Sequence, residues 1–323
     1  SVREQIVRKL LPDGPLARAG LLRQAAELQQ RAERLEALAS SVHERRTLDE
    51  LGRLVGAADA EIDLFHAALL IAKLDNPDVD VAASRRALDR LAADVARAVP
   101  AKADEAVKLA TLNRVLFDEL GFHGSRGDYY NRSNSYVNEV LDDREGIPIT
   151  LAILYMNLAR RLGLMVEGVG FPGHFLVRYE PTAGEPRWLD VFERAAERTR
   201  EELAARRRDE AGAEITDDDL AVATPKAILA RMVNNLLSIA VREGGQADVL
   251  RYLDAILVIT PESASDRVMR MVTAARLGRR EAAVADARWL LERMPPEIGL
   301  LDRLESDRPE TIRADADRPG DRR

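Results

Sequence analysis

The 323-residue sequence contains no cysteine. That excludes disulfides, thiolate metal sites and any cysteine nucleophile. Histidine is scarce too. His43, His66, His123 and His174 are the whole complement, and no metal-ligand spacing links them, so no metal site is expected. No apolar run reaches the roughly 18 residues that a membrane-spanning helix needs, and Ser1-Val2-Arg3 carries no apolar leader core. A cytoplasmic protein without membrane association is therefore expected. The 48 basic and 55 acidic residues are intermixed, leaving a net charge of -7 and no basic stripe, which argues against nucleic-acid binding. Leu250, Leu253, Ile256 and Leu257 read as a buried helix face rather than a cofactor box, and no cofactor is expected.

What the chain does have is helix. Aromatics are only 4% of a sequence rich in Ala, Leu and Arg, residues that lose little side-chain freedom in a helix. Residues 1–58 read as an N-terminal helical segment. Leu21, Ala25, Leu28, Ala32, Leu35, Ala39 and Val42 recur at alternating steps of four and three, a heptad seam. The favoured reading is a helical hairpin packed on its own core. A coiled coil, giving a homo-oligomer through these helices, is the alternative. Asp59 is expected to cap the next helix, which runs through 65–72 and stops at Asn76-Pro77-Asp78. Further helices are expected over 82–98 and 102–120, and then a glycine-marked loop.

Residues 128–195 change character. Tyr129, Tyr130, Tyr136, Trp188 and Phe192 cluster there. Gly146-Ile147-Pro148 leads into a helix from Ile149 to Leu162, where proline suits a first helical position and Gly163 a left-handed stop. Strands are expected over 165–170, 174–179 and 187–191, giving an antiparallel sheet, and 196–222 reads as a charged helix and linker. From 223 to 306 the sequence repeats at a shift of 34: Ala240 on Ala274, Arg242 on Arg276, Gly244 on Gly278, Pro261 on Pro295. That period belongs to tetratricopeptide helix pairs, which bury their apolar faces against neighbours. Residues 307–323 are charged and expected to be disordered.

A helix N-terminus, a histidine opening one strand and an aspartate in the next have the logic of a nucleophile, base and orienter. His174 and Asp190 fill the last two roles. The bland readings are a satisfied core histidine and a loop-capping aspartate.

Residues 131–180 resemble the transglutaminase-like core of the SirB-type bacterial family. The stretches that carry the likeness are Asn134 to Leu141, Gly146-Ile147-Pro148-Ile149-Thr150-Leu151, Ala159 to Leu164 and Gly170-Phe171-Pro172-Gly173-His174-Phe175. With the upstream helix and the repeat tail, the resemblance covers roughly 60–300. It implies an α+β, mostly helical protein. A papain-like core would span 59–222, preceded by the N-terminal helices and followed by the repeats. It also implies a Cys–His–Asp site in which Pro148 stands where active members carry cysteine, His174 matches the base and Asp190 the orienter. Asn134, Asn138, Gly146, Phe171 and Gly173 would line the cleft. Thr150 and Ser135 are the nearby hydroxyls, but an alcohol is far harder to activate than a thiol. The expectation is a non-catalytic module that binds a protein or peptide through the cleft and the repeats. The alternative is an acyl-transfer or hydrolytic enzyme with a non-cysteine nucleophile.

Overall fold

A computed structural model describes residues 14–293. The first 13 residues, the end of the repeat region and the tail expected to be disordered lie outside them. The chain forms two compact units that divide after Arg46.

Among its described residues the first unit is a single helix, with no hairpin turn within them. Helix α1, Gly14–Val55, runs unbroken for 42 residues. After Pro15 no proline interrupts it, so nothing removes a backbone donor or forces a turn. The seam expected to be buried in a hairpin is exposed instead at Leu21, Leu28, Leu35 and Val42.

In the second unit, the end of α1 contributes Leu51 and Val55 to the main core. A short 3-10 turn, Asp59–Glu61, follows, and the cap of the next helix is Asp63 rather than the expected Asp59. The Asp63 carboxylate accepts from the His66 amide at 3.0 Å. Helix α2, Leu64–Asp75, is buried on nearly every side and forms the centre of the unit. Asn76 ends it ahead of Pro77. Helices α3, Val81–Ala98, and α4, Glu105–Asn113, follow with Asp80 and Asp104 as caps. The single helix expected to run to 120 gives way to a π-helical turn, Arg114–Glu119.

Strand β1, His123–Gly124, pairs in parallel with β2, Glu145–Gly146, around the 3-10 turn Arg132–Ser135 and helix α5, Val137–Asp143. Helix α6, Pro148–Arg161, starts with proline at its first position and is almost wholly buried. Its chain ends in Gly163 at φ +75.

The sheet is a four-stranded antiparallel meander: β3, Met165–Val169; β4, Leu176–Glu180; β5, Arg187–Asp190; β6, Ala196–Arg198. The fourth strand goes beyond the three expected. Its short, charged sequence gives no β signal and suits an edge. Alternation divides the sheet's apolar residues. Val177 and Tyr179 join the main core, while Val169 and Leu176 join a second cluster with Phe171, Leu203 and Leu220. Leu203 lies on α7, Arg200–Ala211, whose Thr199–Glu202 capping box fixes its start.

Four helices complete the described chain: α8, Pro225–Glu243; α9, Gln246–Ile259; α10, Ala264–Arg276; α11, Arg280–Arg293. Each packs on the next. Gly244 and Gly278, 34 positions apart in sequence, both take positive φ, +75 and +70, at the ends of α8 and α10. The main core is continuous from α2 and α6 into α8 and α9, through Leu229, Met232, Leu236, Tyr252 and Ile256. No described helix is long and apolar enough to cross a membrane.

Candidate functional site

His174 sits in the turn before β4 rather than in the strand. The Phe171-Pro172-Gly173-His174 turn closes with the His174 amide donating to the Phe171 carbonyl at 3.0 Å. Gly173 holds φ +71, a conformation that favours glycine. The turn aims His174 at the end of β5, where its Nε2 lies 2.9 Å from Asp190 Oδ1. With Asp190 accepting from Nε2–H, the neutral ring keeps its lone pair on Nδ1.

Asp190 is 1% exposed and His174 8%. The carboxylate also caps the 3-10 turn Val191–Glu193 by accepting from the Glu193 amide at 3.3 Å. Arg198 on β6 lies 3.7 Å from its second oxygen. Burial pushes the carboxyl up. The hydrogen bond and charge of His174, the Glu193 amide and Arg198 together outweigh burial and hold Asp190 below the usual carboxylate range.

Phe192, in that same turn, stands edge-on to His174 with ring centroids 6.1 Å apart and edge-on to Tyr129 at 6.3 Å. It covers Gly124 so closely that a Cβ there would lie 2.4 Å from the ring. Phe192 also lines a pocket of about 340 Å³ with His123, Gly124, Arg126, Glu145 and Arg194. Arg194 and Ala195 follow in the left-handed region, φ 59 and 56, a costly pair for residues with a Cβ.

A second knot forms at the start of α6. The Asn134 carbonyl accepts the Thr150 hydroxyl at 2.7 Å and the Ile147 amide at 3.3 Å. The Gly146 carbonyl accepts from the Ser125 amide at 3.0 Å. Pro148 is buried there. The structure thus brings His174 to Asp190, sets Phe171 and Gly173 in the same turn, and gathers Asn134, Gly146 and Pro148 around the helix start. Asn138, on α5, donates to Glu139 at 2.9 Å, and its own side-chain oxygen is buried without a partner.

A family profile described as the transglutaminase-like superfamily matches residues 82–234. A UPF0162 protein of Xylella fastidiosa is 34% identical over 246 residues, covering 73% of this chain and 86% of its own. Protein SirB1 of Salmonella typhimurium is 27% identical over 192 residues, 59% of this chain and 71% of its own. The chain belongs to the SirB-type transglutaminase-like family. The F-box only protein 21 of Homo sapiens is 39% identical over 176 residues, 52% of this chain but 27% of its own. No solved structure matches.

In this SirB-type protein the start of α6 is the informative part. Pro148 has neither a side-chain nucleophile nor exposure. Thr150, two residues on, is fully buried and donates its proton to the Asn134 and Ile147 carbonyls. Ser135 is 1% exposed. Among the described residues no group of three His, Cys, Asp or Glu side chains could hold a metal ion.

Four contributors to this site escape sequence reasoning. Phe192 reads only as one of an aromatic cluster, and Gly124 only as a loop marker. Arg198 sits on the additional fourth strand. Arg231 comes from α8, 57 residues beyond His174, and donates to the His174 carbonyl at 2.6 Å and the Phe171 carbonyl at 2.9 Å. Burial pushes its guanidinium down to about 10. Nothing local in the sequence marks Arg231, since it reads as one polar position on an amphipathic helix.

Proposed function

We propose that this SirB-type chain is a non-catalytic transglutaminase-like protein whose cleft beside Phe192 and the His174–Asp190 pair binds a peptide or protein segment. The observation that carries this reading is the state of the helix start. Position 148 is a buried proline, and the nearest hydroxyl on α6 spends its proton on two backbone carbonyls. A hydroxyl nucleophile needs an adjacent base and a free lone pair directed at substrate. Thr150 has neither. The His174–Asp190 pair then serves to position Phe192, which stands edge-on to His174 and lines the pocket. The open pocket next to it offers an aromatic floor, Phe192, and mixed charges from Arg126, Arg194 and Glu145. A floor of that kind suits a mostly apolar side chain flanked by polar backbone. The helix pairs from Pro225 onward, read as tetratricopeptide-type repeats, add a second surface for the same partner.

The second reading is acyl transfer or hydrolysis with water as nucleophile and His174 as base. The geometry that favours it is the 2.9 Å contact with Asp190, which leaves Nδ1 as the basic nitrogen.

One experiment separates the two. Wild type and His174→Gln are assayed for ammonia release from glutamine peptides and for ester hydrolysis. The same wild type, with Phe192→Ala, is titrated against an immobilised peptide panel. The binding reading expects no turnover above buffer and at least one peptide whose affinity falls tenfold or more in Phe192→Ala. Turnover that His174→Gln abolishes overturns it in favour of the enzyme.

A further inference from the structure

Helix α1 presents an apolar stripe that is exposed along its described residues. Leu28 is 67% exposed and Leu35 59%, with Leu21 and Val42 close behind. Ala25, Ala32 and Ala39 lie between them on the same face and are exposed too. An isolated helix gains little from propensity alone, and most of its stability comes from packing an apolar face. The spacing is 3.5 residues, the period of a helix that winds around another helix rather than one laid on a sheet or a globular core.

The heptad assigns leucine or valine to one seam position, at 21, 28, 35 and 42, and alanine to the other, at 25, 32 and 39. Written in the usual order, these are d and a. Alanine at every a position lets two backbones approach closely. The next a position is Arg46, a charged residue that ends the seam. The flanks then choose the partner. Arg31 falls at a g position and Glu36 at the following e, five residues on. Both are exposed and placed beside the seam. Between two parallel, in-register copies, g faces the partner's next e, so Arg31 meets Glu36 twice, once on each side. In an antiparallel pair g faces g. Arg31 then meets another Arg31 or Leu38, and the attraction is lost.

We infer that residues 21–42 pair with the same residues of a second copy of this chain as a parallel, in-register two-stranded coiled coil. The inference is independent of the peptide-binding reading and stands whether or not the cleft binds anything. The assembly joins two transglutaminase-like units, so any partner with two binding segments gains from simultaneous engagement.

The lack of native cysteine makes the test direct. Leu28→Cys and Leu35→Cys each put one thiol on the seam of the full chain. Glu33→Cys puts one on the outward face. A parallel, in-register pair sets each seam position opposite its own copy, near the Cα separation that a disulfide requires. Under mild oxidation both seam variants are expected to give a covalent species of twice the 35.8 kDa chain mass, while Glu33→Cys does not. Light scattering of wild type is expected to give twice 35.8 kDa, halved by Leu28→Glu with Leu35→Glu. A wild-type mass of one chain overturns the inference. So does a dimer in which the seam variants crosslink no better than Glu33→Cys, because that pairing is not parallel and in register.

Discussion

Asp75 and Asp190 are both carboxylates set into the second unit, and they are built in opposite ways. Asp75, at the end of α2, accepts the hydroxyls of Tyr136 and Tyr252 on one oxygen, and Arg251 at 2.8 Å on the other. Arg132 reaches the same cluster, 3.5 Å from the Tyr252 hydroxyl and 2.9 Å from Asp248. The partners lie up to 177 residues from Asp75 in sequence. Asp190 draws on one meander: His174, 16 residues before it, Glu193, three after, and Arg198 on the next strand. The first cluster is a fastener between the transglutaminase-like core and the C-terminal helices. The second is a local arrangement that a single sheet can carry, tied to α8 through Arg231 and the turn carbonyls. A locally built pair depends on few distant contacts for its geometry.

The largest test of that contrast is Asp75→Ala. It strips the acceptor from two phenols and leaves the Arg251 guanidinium with Asp248, at 2.9 Å, in place of the pair of carboxylates. Breaking a half-buried network of this kind costs about 3–5 kcal/mol, read as a fall in the urea midpoint at constant slope. His174→Ala is expected to cost less, about 1–3 kcal/mol, because Asp190 keeps the Glu193 amide and Arg198. If His174→Ala costs as much as Asp75→Ala, the distinction between fastener and local pair fails.

The pH dependence should divide the clusters by the opposite ends of the scale. Asp190 is held below its ordinary value, so its contribution is complete above about pH 4 and is lost as acid protonates it. Burial first, and then the Asp75 charge, push the phenols of Tyr136 and Tyr252 up. Their stabilisation is complete below about pH 10 and is lost above it, where the unfolded phenols ionise and the folded ones do not. Urea midpoints from about pH 3 to about pH 11 should show both limbs. His174→Ala should make the acid limb shallower and leave the alkaline limb unchanged, and Tyr252→Phe should do the reverse. A variant that flattens both would mean that the two clusters are coupled.

How much of this could be read from the chain follows the same local-versus-distant division. Gly146-Ile147-Pro148 and Gly163 bracket α6 almost to the residue, because proline and glycine act through their own backbone. The β3–β4–β5 meander is legible from turns and short apolar runs. His174 and Asp190 stand out because a short-range motif carries them. Strand β6 is not legible, since Ala196-Glu197-Arg198 has no β-favouring side chain and is recruited only by pairing with β5. Arg231 and the Asp75 cluster are not legible because their partners come from helices far away in sequence. The exposure of the seam along α1 is not legible for a different reason. A heptad shows that a helix wants an apolar partner but not whether that partner lies in the same chain.

The smallest effect expected is also the one that bears most directly on the start of α6. Thr150→Val removes a hydroxyl that donates to the Asn134 and Ile147 carbonyls and leaves both with one fewer donor. The Asn134 carbonyl keeps the Ile147 amide, so the loss is that of ordinary hydrogen bonding, about 0.5–1.5 kcal/mol. If Thr150 is only a tie between the 3-10 turn and α6, the Thr150→Val protein should shift the urea midpoint by that amount and leave peptide affinity within about twofold. A hydroxyl acting as nucleophile would behave differently. Removing it would abolish any turnover seen in wild type while barely moving the midpoint, and that pattern would return this helix start to catalysis.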